Sequence, residues 1–154
     1  MFYTRPHSTA TWGTQAKDWE AGVDFKKLVH DRTERARQAI TDAGLAAVIC
    51  FNFDNIRYIT ATHIGEWGRD KFDRYCLLGQ EGSPFLWDPA APAKRKSSPW
   101  MGNNVDAPVS TMQGALPPAL GIEKVFAKQI KEKLVDMGIQ NEPIGIDVME
   151  LQMM

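Results

Sequence analysis

The sequence predicts an α/β domain in which a mixed β-sheet is flanked by helices. Amphipathic helical segments alternate with short apolar runs, and glycine or proline marks most boundaries between them. Two of the apolar runs are separated by only a few turn-forming residues, which is typical of a hairpin. Helices interleaved with strands, together with a hairpin, favour a sheet that contains both parallel and antiparallel strands.

The first predicted helix covers residues 24–43. Asp24 can cap its N-terminus, apolar residues recur at helical spacing, and Gly44 suits the left-handed position that ends a helix. The continuous apolar run LAAVICF, residues 45–51, predicts a strand that is covered on both faces. The next segment, residues 52–60, is interpreted as a turn or a short capped helical turn that leads into a second extended piece.

Residues 74–88 are predicted to form a hairpin around the turn sequence GQEGS, with Pro89 and Pro92 ending the second strand. The basic stretch AKRKSSPW that follows is interpreted as a solvated loop. Residues 101–120 are rich in proline and glycine, and they too are predicted to be loop.

The segment GIEKVFAKQIKEKLVDMG predicts a second amphipathic helix that ends at Gly138, and PIGID predicts a short strand after it. Asp147 and Glu150 have the spacing of a capping box, so a further helix is expected to begin there. Fewer than three turns of this helix fit before Met154, and an isolated helix that short is only marginally stable in water. We therefore expect the chain to be a fragment of a protein that continues beyond Met154. The predicted apolar stripe of the second helix is Ile122, Val125, Phe126, Ile130, Leu134 and Met137.

Composition indicates one globular domain, residues 24–154, preceded by a polar arm at residues 1–23. The chain has 154 residues, of which 44% are hydrophobic and 24% charged, and its net charge is −1. This balance predicts neither nucleic acid nor membrane as a partner, and no apolar run reaches the ~18 residues of a membrane span. Cys50 and Cys76 lie in apolar runs, which predicts buried free thiols in a reducing cytoplasm.

Catalytic motifs are scarce in this sequence. It has no glycine-rich phosphate loop, no GxSxG motif and no CxxC pair. The histidines His7, His30 and His63 are far apart, and no spacing places two metal ligands on one helix face. We therefore predict no metal site and no catalytic residue within the chain. His30 is interpreted as a surface residue, and His63 is a candidate to assist at a shared active site.

The segment GEWGRDKFDRY, residues 65–75, is too charged for a core and too aromatic for an ordinary solvated loop. Arg69 could bind a carboxylate with its guanidinium fork, and Trp67 could hold a cationic or apolar group. Gly68 would let the backbone turn so that both side chains face one way. The alternative is a loop of ion pairs within the chain, with Trp67 packed on its own domain.

Two longer stretches resemble the N-terminal domain of the creatinase/prolidase family, which includes aminopeptidase P and other Xaa-Pro peptidases. RTERARQAITDAGLAAVICFNFDNIRYIT is similar to the start of that domain, and KEKLVDMGIQNEPIGIDVMELQMM to its closing helix, strand and next helix. The resemblance covers residues 28–154 and departs at Ala61 and Thr62, where the family often has glycine and an aromatic residue. The matching positions are Arg32, Arg35, Gly44, Leu45, Asn55, Ile56, Arg57 and Tyr58.

This resemblance implies a ribonuclease H-like domain without the C-terminal pita-bread domain that carries the active site. In peptidase members that site holds two divalent metals, whose ligands would lie after Met154, so the fragment itself would bind no cofactor. The family's N-terminal domain commonly builds a homodimer or covers the neighbouring active site. Trp67 and Arg69 match an aromatic–Gly–Arg element of creatinases, which makes them, with His63, candidate substrate-binding residues across the subunit boundary.

The expected function is therefore that of a non-catalytic N-terminal domain of a metal-dependent hydrolase of the Xaa-Pro peptidase type, acting on a small molecule or short peptide. One alternative is a dimethylsulfoniopropionate lyase-like member of the same family, which the tryptophan loop and the FLWD sequence resemble. A second alternative is a scaffold or binding protein that retains the fold without a catalytic domain.

Overall fold

A five-stranded sheet forms the centre of the part of the chain that the computed structural model describes, residues 23–62, 74–109 and 121–148. Helices lie on both of its faces. In chain order the elements are α1 (Phe25–Asp42), β1 (Ala47–Cys50), α2 (Phe53–Thr60), β2 (Tyr75–Gly79), β3 (Phe85–Trp87), α3 (Ala91–Ser97), a 3-10 turn (Pro99–Met101), β4 (Val105–Asp106), α4 (Ile122–Asp136) and β5 (Ile144–Ile146).

The sheet is mixed, and its strand order is β4-β3-β2-β1-β5. Strand β2 pairs antiparallel with both β1 and β3, whereas β5 is parallel to β1 and β4 is parallel to β3. The predicted α/β class with a mixed, helix-flanked sheet is confirmed, as are the hairpin and the strand in PIGID.

Alternation along the strands divides the core between the two faces of the sheet. Cys50 and Leu78 point to the face covered by α1, α2 and α3, where they join Ile40, Ile56 and Ile59. The intervening strand residues point to the other face, which α4 covers. That second cluster contains Ala47, Ile49, Phe51, Tyr75, Leu77 and Trp87. A strand buried on both faces explains why residues 45–51 are apolar without interruption.

The first helix begins and ends as the sequence predicts. The Asp24 side chain accepts a hydrogen bond from the backbone N–H of Lys27 at 3.0 Å, which satisfies one of the free donors of the first turn. Gly44 follows the helix with φ +66°, a left-handed conformation that glycine adopts without steric cost. Both cysteines are buried free thiols, and His30 is exposed, as expected.

The prediction of an extended piece within residues 52–60 is wrong, because this segment forms helix α2. Asn52 caps the helix by accepting hydrogen bonds from Asp54 N at 2.8 Å and Asn55 N at 3.3 Å. Ile56, Ile59 and Thr60 then fall on one face and are buried. The β-branched residues had favoured a strand, but the cap and the i, i+3, i+4 spacing determine the outcome.

The prediction of a basic loop is also wrong. Residues 91–97 form helix α3, and Pro99–Met101 form a 3-10 turn. Pro92 lies in the first turn of α3, where its missing N–H costs nothing, so it begins a helix as well as following a strand. Arg95 donates two hydrogen bonds to Val105 O, at 3.0 and 2.7 Å, and thereby holds α3 against β4. Strand β4 itself lies within a predicted loop.

Helix α4 forms as predicted, but its buried stripe is narrower than expected. Phe126, Ile130 and Leu134 pack against the sheet. Val125 and Met137, which were assigned to the same stripe, are 47% and 38% exposed. Val125 lies nearly opposite Ile130 on the helical projection. Met137 is on the side of Ile130, but it comes directly after the last residue of α4.

Asp147 supports a different helix from the one predicted. Its carboxylate accepts hydrogen bonds from Phe51 N at 2.8 Å, Asn52 N at 3.1 Å and Asn55 Nδ2 at 2.9 Å, so it joins the end of β5 to the start of α2. Glu150, the expected helix after it and the arm at residues 1–22 lie outside the described residues. No helix in the described ranges is long and apolar enough to cross a membrane.

Replacing Asp147 by alanine is expected to lower the free energy of unfolding by about 1–2 kcal/mol, because three donors at the start of α2 lose their acceptor. Asp147→Asn should lose less, since its amide oxygen still accepts. The matched control is Asp42→Ala at an exposed position of α1, where the carboxylate accepts a hydrogen bond from Gln38; its cost should stay below about 0.5 kcal/mol. Urea denaturation checks both, and equal losses would contradict the role of Asp147.

Candidate functional site

One buried side chain joins the two ends of the segment that carries the predicted site. Thr62 is the last described residue before residues 63–73, and Arg74 is the first one after them. The Arg74 guanidinium donates a hydrogen bond to Thr62 Oγ1 and, through Nε, a second one to Asp88 Oδ2 at 2.7 Å. The two described residues that flank this segment are therefore joined by a side-chain contact inside the protein.

The C-terminal end of α2 prepares Thr62 for this contact. The Thr60 hydroxyl donates to Ile56 O at 2.7 Å, and its oxygen lies 2.6 Å from the Thr62 hydroxyl. Because the Thr60 hydrogen is already used, Thr62 donates to Thr60 and presents its own oxygen to Arg74. The Trp100 indole N–H donates to Thr60 O at 2.8 Å, which fixes the last turn of α2 from the side.

Asp88 connects the same contact to the next helix. It follows β3 directly, and its Oδ1 accepts a hydrogen bond from Ala90 N at 2.7 Å. Its backbone carbonyl accepts from Ala91 N at 2.9 Å, so the turn into α3 is built on this residue. The four residues Thr62, Arg74, Asp88 and Ala90, called the loop-base cluster below, thus flank α2, the β2–β3 hairpin and α3.

The electrostatics of the loop-base cluster are those of a buried ion pair. The side chains of Arg74 and Asp88 are 2% and 1% exposed. Lys94 of α3 lies near this pair, and burial is the main cause that lowers its pKa; the charge of Arg74 lowers it further, whereas Asp88 raises it. Two cations therefore lie near one carboxylate, of which Oδ2 accepts from Arg74 and Oδ1 accepts from Ala90 N.

The three predicted site residues, Trp67, Arg69 and His63, lie outside the described residues. So do the other charged residues of the segment up to Asp73, so the alternative of ion pairs within the chain is not tested there. The described residues that flank this segment are Thr62 and Arg74. Among the described residues, no group of three or more histidine, cysteine, aspartate or glutamate side chains is placed to hold a metal ion.

The loop-base cluster was not predicted from the sequence, although a signal for it was present. Tyr75 pairs with Trp87 in the β2–β3 hairpin, so Arg74 and Asp88 occupy the next position of the same antiparallel register. Opposite charges that face each other at the open end of an apolar hairpin predict a cross-strand ion pair. The sequence places no such signal on Thr62.

A groove of about 300 Å³ lies on the α1–α2 side of the sheet, separate from the loop base. Its walls are mostly apolar and include Ile40, Val48 and Ile59. Asp147 and Cys50 are the acidic and thiol groups that border it. The Asp147 carboxylate is already engaged by three donors, so the groove offers little unsatisfied polar chemistry.

The thiol beside the groove is held in its protonated form. Cys50 is the direct partner of Cys76 across the β1–β2 ladder. The hydrogen bond with the Cys76 thiol, burial and the nearby Asp147 carboxylate all raise the pKa of Cys50. Since the thiolate is the reactive species, this group is a packed core residue rather than a nucleophile.

The fold is similar to part of a solved peptidase. A Xaa-Pro dipeptidase from Bacillus anthracis matches with a TM-score of 0.50 and 14% sequence identity over 81% of this chain. The chain spans only 29% of that dipeptidase. No protein-family model matches the sequence, and no curated protein sequence is similar to it. At this identity the likeness shows a shared fold.

Replacing Arg74 by alanine is expected to cost about 3–5 kcal/mol of folding stability, because the buried carboxylate of Asp88 is left without compensation. The double variant Arg74→Met/Asp88→Leu should lose less than the single one, since it removes both charges. Arg57→Ala, an exposed arginine of α2, is the control and should cost under about 0.5 kcal/mol. Thermal or urea unfolding measures all three. A double variant as unstable as Arg74→Ala would argue against the ion-pair explanation.

Cys50 is expected to resist alkylation at pH 8 in the folded protein. A raised pKa means that Cys50 stays a neutral thiol at this pH, whereas an ordinary exposed cysteine is partly ionised near its pKa of about 8.5. Iodoacetamide labelling followed by mass spectrometry measures the rate, and labelling in urea provides the control in which both thiols react. Rapid modification of Cys50 without unfolding would contradict the assignment.

Proposed function

We propose that this chain is the N-terminal domain of a metal-dependent hydrolase of the Xaa-Pro peptidase type. Two observations support the proposal. The fold is shared with a part of a Xaa-Pro dipeptidase that is several times longer than the match, and the sequence resembles the creatinase/prolidase N-terminal domain over most of the chain. In this proposal the domain carries no catalytic group; the divalent metals and their ligands belong to a C-terminal domain.

The loop that begins after Thr62 would be the part that contacts substrate. Its closed base is the observation that supports this role, because the hydrogen bond from Arg74 to Thr62 joins the two ends of an eleven-residue segment, and Asp88 anchors Arg74 at the end of the hairpin. A loop with fixed ends can present Trp67 and Arg69 to a neighbouring active site with less conformational freedom to lose.

The residue types suit a small substrate that carries a carboxylate. A guanidinium binds a carboxylate through two parallel N–H groups, and an indole face contacts an apolar ring such as proline or a cationic group. We propose that Arg69 and Trp67 act in this way, with His63 beside them, and that the protein is a homodimer in which each loop covers the partner's active site. The lyase-like and scaffold alternatives stay predictions from sequence.

The proposal is tested by kinetics on the full-length gene product with a Xaa-Pro dipeptide. Arg69→Ala should raise KM about tenfold or more, because a charge-assisted hydrogen bond to the substrate is lost, while metal content stays unchanged. Arg69→Lys should recover part of the loss, since it keeps the charge without the fork. Arg57→Ala, at an exposed position of α2, is the matched control and should leave KM unchanged.

Two outcomes would contradict this assignment. If Arg69→Ala leaves KM and kcat unchanged, Arg69 does not contact the substrate. If the full-length protein loaded with divalent metal does not hydrolyse Xaa-Pro dipeptides, the peptidase activity itself is wrong.

A further inference from the structure

The outward face of α4 carries a stripe that the core does not explain. Val125 and Val135 are 47% and 50% exposed although they lie on an amphipathic helix whose other face packs on the sheet. Lys128 and Glu132 lie between them, with side chains 73% and 61% exposed. These four residues, called the α4 stripe below, are spaced three, four and three positions apart, on the opposite side of the helix from Ile130.

This spacing is that of the a and d positions of a coiled coil. Two such helices that run antiparallel around a twofold axis bring each a position level with a d position of the other helix. Val125 and Val135 lie five residues on either side of Ile130, and Lys128 and Glu132 lie two residues on either side. A twofold axis at the level of Ile130 therefore matches apolar with apolar and basic with acidic.

We propose that the α4 stripe is the contact surface for a second copy of this chain, with the two α4 helices antiparallel. Each Val125 would pack against the partner's Val135, and each Lys128 would pair with the partner's Glu132. The stripe is self-complementary in charge and in polarity, as a twofold interface requires. The proposal rests on the homodimer of the proposed function and identifies the surface that forms it.

The interaction is expected to be weak. Helix α4 has 15 residues and is therefore about 22 Å long, so the helix pair alone buries less than the ~1,200 Å² typical of stable complexes. Within one chain Lys128 Nζ already lies 3.7 Å from Glu132 Oε1. In the dimer these charges would form a network of four groups, in which each lysine has two acidic neighbours, instead of two isolated exposed pairs.

The test uses two charge reversals on the 154-residue chain, measured by sedimentation equilibrium up to about 1 mM protein. Lys128→Glu makes the centre of the stripe wholly acidic, and Glu132→Lys makes it wholly basic, so each variant alone should associate about tenfold more weakly or not at all. Mixing the two variants should restore association, because the acidic stripe of one faces the basic stripe of the other. Lys96→Glu, an exposed reversal on α3, is the control and should dimerise like the unmodified chain.

The mixing experiment shows whether a variant associates weakly because the proposed contact is lost or because its altered charge or folding weakens association in general. Recovered association in the mixture, with unchanged circular dichroism of each variant, is the expected result. A mixture as dissociated as its components would overturn the antiparallel α4 arrangement. An unmodified chain that stays monomeric at 1 mM would overturn it too. A dimer that both reversals leave intact would place the contact elsewhere and leave the proposed homodimer standing. Val135→Ser should weaken association without changing charge.

Discussion

The need to compensate one buried guanidinium organises much of the described structure. Arg74 is almost fully removed from water, so its charge requires acceptors within the protein. Asp88 supplies the opposite charge from the end of β3, and Thr62 supplies a neutral acceptor from beyond the end of α2. Because these acceptors come from separate elements, satisfying one side chain fixes the relative position of α2, the hairpin and the start of α3. Nonpolar residues at the same positions would fix distances less specifically.

The double-sided sheet makes this arrangement possible. Strand β2 is buried along its whole length, so Arg74, directly before it, lies where the surrounding residues already exclude solvent. On the α4 side Tyr75 stacks against Trp87, with ring centroids 4.8 Å apart, and its hydroxyl donates to Gln129 Oε1 at 2.7 Å. The hairpin is therefore anchored by aromatic packing on one face and by the ion pair at its end, and the two anchors act on adjacent residues.

The sequence predicted correctly those segments in which the capping residues, the apolar periodicity and the composition all indicate the same structure. The first helix has a cap, a stripe and a terminal glycine that agree, and the apolar run after it has no polar residue to contradict a strand. Residues 52–60 carried conflicting signals, β-branched residues against an asparagine cap and helical spacing. The helix formed, and Asp147, ninety-five residues away from Asn52, adds a hydrogen bond to the backbone at its start. No local pattern contains that contact. The ion pair at the hairpin end could have been predicted from the strand register. The position of Thr62 could not, because it depends on the left-handed conformation of Ala61.

The positions of the loop base and of α4 bear on how one domain could serve both proposed roles. Thr62 follows α2, and Ala90 precedes α3, and both helices cover the face of the sheet opposite to α4. A dimer formed through the outward side of α4 would therefore leave the loop base uncovered by that contact. A segment whose ends are fixed on one face of the sheet could then reach an active site on a different domain, while the opposite face carries the subunit contact. Separation by the sheet lets a change in either surface act without directly disturbing the other.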